Sequence, residues 1–260
     1  LGTCLGMAIT AIVAYVPFFR GKMLLRFRRP RFSWAMIKKI VFSGAPNFLN
    51  NIAGRITSIL MNVLLVRLGG ETAVSIYGIL MYVEGFIQPL MYGMCDSLQP
   101  AVGYNWGARA FSRVKAIEKY CFTAAAIISL AALVVIFLVP APIASVFLGS
   151  GDEAILESTA FALRLFSFTY VTRWFSFATQ SFMLAIERSG AATLISVSTA
   201  LIFPVLLVAV LWPLGLTGLW LNFAGTSLLA GVLSAFIMLR FKRDWKKLPP
   251  EGSVGIEEAA

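Results

Sequence analysis

Histidine is absent from all 260 residues. Its absence excludes, within this chain, an imidazole-ligated zinc site and a triad with a histidine base. Cysteine is scarce. Cys4, Cys95 and Cys121 sit in or at the edge of apolar stretches, with neither a disulfide pattern nor a metal-ligand spacing. No Gly-x-Ser-x-Gly and no phosphate-binding glycine loop occurs. Enzyme chemistry is therefore not expected, and neither is a cofactor or a metal centre. Charge is also thin: Asp, Glu, Lys and Arg make up 13% of the chain, where a soluble domain carries about 25%. A chain with so little polar surface points to lipid as its solvent.

What the chain has in excess is apolar length. Hydrophobic residues are 59% and mean hydropathy is +0.83. Seven runs have membrane dimensions, at roughly 1–19, 41–68, 73–99, 120–140, 157–186, 192–212 and 218–239, since about 20 apolar residues cross a bilayer core. The longer runs imply tilt, kinks or ends outside the membrane. Residues 1–19 lack a basic start and are followed by Arg20, which reads as a span rather than a signal peptide. An all-α, polytopic membrane protein is predicted.

The net charge of +10 is not spread evenly. Of 22 Lys and Arg, eight lie in 20–39, four in 100–119, one at 188 and five in 240–260. The intervening loops 69–72, 141–156 and 213–217 hold none. This alternation is the positive-inside pattern and puts the basic loops, and the C-terminus, in the cytoplasm of a plasma (inner) membrane protein. Basicity here is a topology signal and not a nucleic-acid signal. Seven spans then put Leu1 outside. A chain that starts outside, without Met and without a leader, is expected to be part of a longer protein.

Polar residues recur inside three runs. Asn47, Asn51, Arg55, Ser58 and Asn62 follow helical spacing on one face, and so do Glu84, Gln88, Tyr92, Asp96 and Gln99. Thr169, Thr172, Arg173, Ser176 and Gln180 share a face of the run 157–186. Lipid cannot satisfy such groups, so they face a bundle interior or a watery cavity. Amides and hydroxyls also serve as plain interhelical bonds. A charge at mid-membrane costs about 3 kcal/mol, which makes function the default reading for Arg55, Glu84 and Arg173. Counting depth from the outer turn predicts a Glu84–Arg55 ion pair, with Arg173 as competitor. Asp96 lies nearer the cytoplasmic end. Pro89 and Pro204 lie within runs and are candidate hinges, or else static kinks.

The stretch 99–120 interrupts the apolar pattern with two glycines, four basic residues and four aromatics. It reads as a cytoplasmic elbow followed by a basic amphipathic helix from near Ala108. Its residues Gln99-Pro100, Tyr104-Asn105-Trp106-Gly107-Ala108 and Arg113-Val114-Lys115 resemble a loop of the multidrug and toxic compound extrusion transporters. Gly44-Ala45-Pro46, Asn62 to Gly70, Gly215 to Trp220 and Arg240-Phe-Lys-Arg243 agree with that resemblance, which covers about 33–247.

The resemblance implies a twelve-helix transporter of two six-helix bundles, exporting drugs or other organic compounds by alternating access against sodium or protons. Residues 1–19 would be a helix of the preceding bundle, 20–40 a basic cytoplasmic connection, 41–240 the C-terminal six-helix bundle and 241–260 a cytoplasmic tail. Its partners would be membrane lipid, a small organic substrate and a missing N-terminal bundle, with no nucleic acid. Three residues depart from the family pattern. Arg173 stands where the family often has an acid, Asp96 where an uncharged residue is usual, and Glu187 where a small one is usual. The coupling carboxylate is then either Glu84 or a residue of the missing half. The internal arginines keep open a lipid-linked saccharide flippase of the same superfamily, and the count of seven spans keeps open a seven-helix receptor or scaffold.

Overall fold

A computed structural model describes residues 2–19, 32–148 and 153–245. The chain divides into two compact units, Leu1–Phe42 and Ser43–Ala260. Among the described residues the regular structure is helical throughout, without strands. In the first unit, α1 (Gly2–Phe19) exposes Leu5, Met7, Ile9 and Ile12, the surface a lipid-facing helix presents. Residues 20–31 of the expected connection lie outside the described residues, as do 246–260 of the expected tail.

The second unit is built from antiparallel helical passes. From Ser43 onward it contains most of helix α2 (Trp34–Asp96), which takes in two of the predicted runs and reverses at Gly70, whose backbone (φ 62, ψ −156) is the one non-helical point inside it. That conformation is open to glycine and almost nothing else. Pro89 is exposed, and the residues around it keep helical backbone angles. Pro100 has the stronger effect. It has no N–H to give the Asp96 carbonyl, and α2 ends at Asp96.

The elbow is a short helix, α3 (Leu98–Gly107), followed by α4 (Phe111–Leu138). Between them the Ala110 amide donates to Asn105 O and the Arg109 amide to Trp106 O, with Arg109 at φ 56. This is a Schellman closure with arginine in the position that favours glycine. Trp106 explains the aromatics of the elbow. It meets Trp245 edge-on at 5.5 Å and Phe111 at 5.3 Å, and Phe182 and Phe241 complete the cluster.

Helix α5 (Pro140–Leu148) and α6 (Glu153–Ser167) precede a tight turn, Phe168–Val171, and α7 (Arg173–Ala185). Helix α8 (Ser189–Val197) passes through a π segment, Ser198–Ile202, into α9 (Phe203–Leu211). Gly215, at φ 56, turns the chain into α10 (Gly215–Trp245). The main core gathers Leu65, Leu80, Phe166, Tyr170 and Trp220. The elbow-end core gathers Val102, Val114, Phe182 and Phe241. Large apolar side chains such as Phe86, Leu90, Val232, Phe236 and Leu239 point outward, the inside-out surface of a multi-pass membrane protein.

Candidate functional site

The run 157–186 is not one helix. It breaks between Tyr170 and Arg173, where Thr172 (φ −120, ψ −12) leaves the helical region without any proline or glycine. A break in lipid needs its freed carbonyls satisfied, and neighbouring hydroxyls do this. Ser129 of α4 donates to Tyr170 O at 2.7 Å, and Ser227 of α10 donates to Thr169 O at 2.6 Å. Thr172 and Ser227 hydroxyls meet at 3.0 Å. Helix α7 therefore begins anew at Arg173, with its positive end inside the bundle.

Glu84, 7% exposed, faces that new helix start. One carboxylate oxygen pairs with Arg173 Nη2, and the other accepts the Tyr170 hydroxyl. The Arg173 guanidinium also lies 5.1 Å from the Phe177 ring centroid, and Phe177 stacks on Tyr92 at 4.7 Å. The charge pair is thus braced by two aromatic rings and a phenol. It borders a cavity of about 300 Å³ between α2, the broken helix, the π segment and α10. Tyr77, Tyr92, Phe166, Phe177 and Phe223 supply aromatic walls; Ser58, Gln88, Asn222 and Thr226 supply polar points. The Thr169 and Ser176 hydroxyls line the same space and make no hydrogen bond among the described residues. A cavity that combines aromatic walls with convergent polar groups suits a small organic ligand.

The opposite wall has its own irregularity. Pro204 has no amide hydrogen to offer the carbonyl of Ala200, four residues earlier, and a π turn takes up the mismatch over Ser198–Ile202. The freed Ala200 carbonyl accepts the Thr57 hydroxyl from α2. Asn222 of α10 donates to Pro204 O at 2.8 Å. The two distorted passes, α6–α7 and α8–α9, thus meet the cavity where their backbones depart from the α-helix.

Of the sequence-predicted site residues, Ser58, Glu84, Gln88, Arg173 and Pro204 line the cavity. Asn51 and Arg55 are exposed on α2, and the side chain of Asn47 lies outside the described residues. Asn62 turns back to bond Ser58 O at 2.9 Å. Gln180 is buried farther along α7 and does not line the cavity. Asp96 is an exposed fastening at the elbow, accepting from Ser181 at 2.8 Å and Gln99 at 2.9 Å. The expected Glu84–Arg55 pair does not form. Depth along a span does not fix the direction around it. Thr57 and Ser58 take the cavity face of α2, while Arg55 faces outward. The competitor Arg173 holds the carboxylate instead.

Tyr170, Thr57, Tyr77, Asn222 and Thr226 were not anticipated. Asn222, Thr226 and Ala230 follow a spacing of four along α10 that could have exposed that stripe. Tyr170 reads in sequence as one aromatic among many.

A family profile described as MatE matches residues 46–210. The multidrug export protein MepA of Staphylococcus aureus (strain N315) is 24% identical over 248 residues, which cover 94% of this chain and 53% of that protein. MepA of Staphylococcus saprophyticus is 24% identical over 253 residues, covering 94% and 54%. The chain thus spans about half the length of the curated relatives it matches. Among solved structures, an outward-facing multidrug resistance MATE family transporter of the MOP superfamily superposes with a TM-score of 0.83 at 20% identity, over 94% of this chain and 56% of that one. A MOP superfamily transporter from Pyrococcus furiosus, described as having reverse polarity of its binding pocket, gives the same TM-score, identity and coverage. These structural likenesses establish the fold. The profile match extends over more than half of the 260 residues, and the chain belongs to the MatE family of transporters, which are not enzymes.

Proposed function

We propose that this chain serves a secondary active efflux transporter, one that exports drugs or other organic compounds by alternating access, coupled to entry of sodium or a proton. The observation that carries the reading is the Glu84–Arg173–Tyr170 cluster at the wall of an aromatic cavity inside an apolar bundle. Glu84 is the acidic residue among the cavity-lining side chains, and here it is already neutralised by Arg173. A net-neutral, ring-lined cavity suits flat organic compounds more than strongly cationic ones. Protonation of Glu84, or a cation displacing Arg173, would release Arg173 and bias the bundle toward a second packing. The helix break at Thr172 and the π turn before Pro204 are the flexure points of that change, with Pro89 of α2 as a further candidate hinge. The basic loops would face the cytoplasm, and the exposed Asn51 and Arg55 would face a second bundle. The multidrug export names of the relatives favour this reading over a flippase or a receptor.

The test is dye efflux from vesicles under an imposed proton or sodium gradient, with Glu84→Gln alongside. Gradient-driven efflux that disappears in the variant supports the proposal, and the gradient that works identifies the ion. Efflux unchanged in Glu84→Gln would reduce the cluster to a structural role.

A further inference from the structure

A second cavity of about 530 Å³ lies at the elbow end of the bundle, between the first turns of α4 and the last turns of α10, outside the cluster described above. Lys115, Lys119 and Lys242 line it together with Glu118, Phe122 and Trp245. Glu118 is buried, and its carboxylate holds Lys242 Nζ at 3.0 Å. Lys115 Nζ stands 5.4 Å from the Trp245 ring centroid. Lys119 is exposed one helical turn beyond Lys115, on the same face of α4. Three ammonium groups against one carboxylate leave an excess of two positive charges over an apolar floor.

The height of this groove matters as much as its charge. Helix α4 carries Arg113, Lys115, Glu118 and Lys119 in its first turns, then no charged residue from Cys121 to Leu138. Helix α10 mirrors it, uncharged from Gly215 to Leu239 and basic from Arg240. Both helices pass from apolar to charged at the groove, where a bilayer passes from acyl chain to headgroup. Trp245 and the exposed Tyr120 are the amphipathic side chains that settle at that boundary.

We infer that the α4–α10 groove binds an anionic glycerophospholipid, its phosphate between Lys115 and Lys119 and its glycerol and upper acyl chains against Phe122 and Trp245. Charge complementarity selects the anionic headgroup, and the apolar floor selects a lipid over a free anion. Glu118 keeps Lys242 at the rim and limits the site to about one phosphate.

The test counts lipids retained by the full chain in neutral detergent, by native mass spectrometry, after mixing with phosphatidylglycerol or phosphatidylcholine. Phosphatidylglycerol should be retained in preference, and the Lys115→Gln/Lys119→Gln variant should lose roughly fivefold per lysine. Lys115→Arg/Lys119→Arg should keep the preference. If these variants do not fold, brominated phosphatidylglycerol provides a second readout on unaltered lysines. It should quench wild-type fluorescence more than that of Trp245→Phe, and brominated phosphatidylcholine should not. Equal retention of the two lipids would overturn the inference, as would full retention in a folded double Gln variant or quenching that ignores the headgroup. Loss of phosphatidylglycerol to millimolar inorganic phosphate would reassign the site to a free anion. A rise in retention on removal of 246–260 would give the groove to the chain's own tail.

Discussion

Glu84 takes its two partners, Tyr170 and Arg173, from either side of one helix break. That arrangement makes the cluster sensitive in a particular way. Removing one charge leaves its partner uncompensated in the bundle, whereas removing both leaves a neutral polar patch. Glu84→Gln and Arg173→Gln should each lower stability by about 3 kcal/mol, and the double variant by clearly less than the sum. Thermal unfolding in detergent of the four proteins checks this; strict additivity would mean that the pair contributes nothing. The sequence made Glu84 and Arg173 conspicuous because charge inside an apolar run is expensive. It did not make them partners. The depth count ranked Arg55 first, and the direction each side chain takes around its helix reversed the order.

Two passes of the bundle carry irregularities that sequence patterns treat unequally. The π turn over Ser198–Ile202 follows from Pro204 by the loss of one amide hydrogen, and a mid-run proline is visible to any reader of the sequence. The break at Thr172 has no such mark. It is held open by hydroxyls from two other helices, Ser129 and Ser227, which are unremarkable in their own runs. Ser129→Ala and Ser227→Ala should each cost about 1 kcal/mol, and the pair together should increase amide exchange at 168–173 more than elsewhere. Exchange unchanged at those amides would show that the break is fixed by other packing. The helix ends give a prediction of opposite sign. Glu187 sits at φ 60 after α7, with Arg188 N donating to Met183 O at 2.8 Å, the same closure as at Arg109. A glycine avoids the left-handed penalty of a side chain there, so Glu187→Gly should raise stability by roughly 1 kcal/mol in thermal unfolding.

At the scale of the molecule, positive charge is sorted among the turns. Besides the basic stretch 20–39, the elbow α3–α4, the α7–α8 turn and the stretch 240–260 carry ten Lys and Arg, and the reversals 69–72 and 213–217 carry none. If the basic turns are cytoplasmic, single cysteines at Ser189 and Glu71, in a background lacking Cys4, Cys95 and Cys121, should label from opposite sides. A membrane-impermeant maleimide applied to intact cells should reach position 71 and spare position 189. The reverse labelling would invert the orientation.

The sequence by itself determined that this protein is helical and membrane-embedded. It also located most passes and the elbow, because lipid demands apolar runs of fixed length and tolerates charge only at their ends. Family membership was legible too, in motifs that turned out to be turns and helix ends: Gly70, the Trp106 elbow and Gly215. Tertiary structure decided which polar residues meet. Run length and spacing say how deep a side chain sits and which face it shares, but not which neighbour that face meets. The Tyr170–Glu84–Arg173 cluster, the serine-held break and the lysine groove each join residues far apart in the chain. Only helix packing fixes those pairings, because the direction each pass presents to its neighbours is set by the whole bundle and not by any one run.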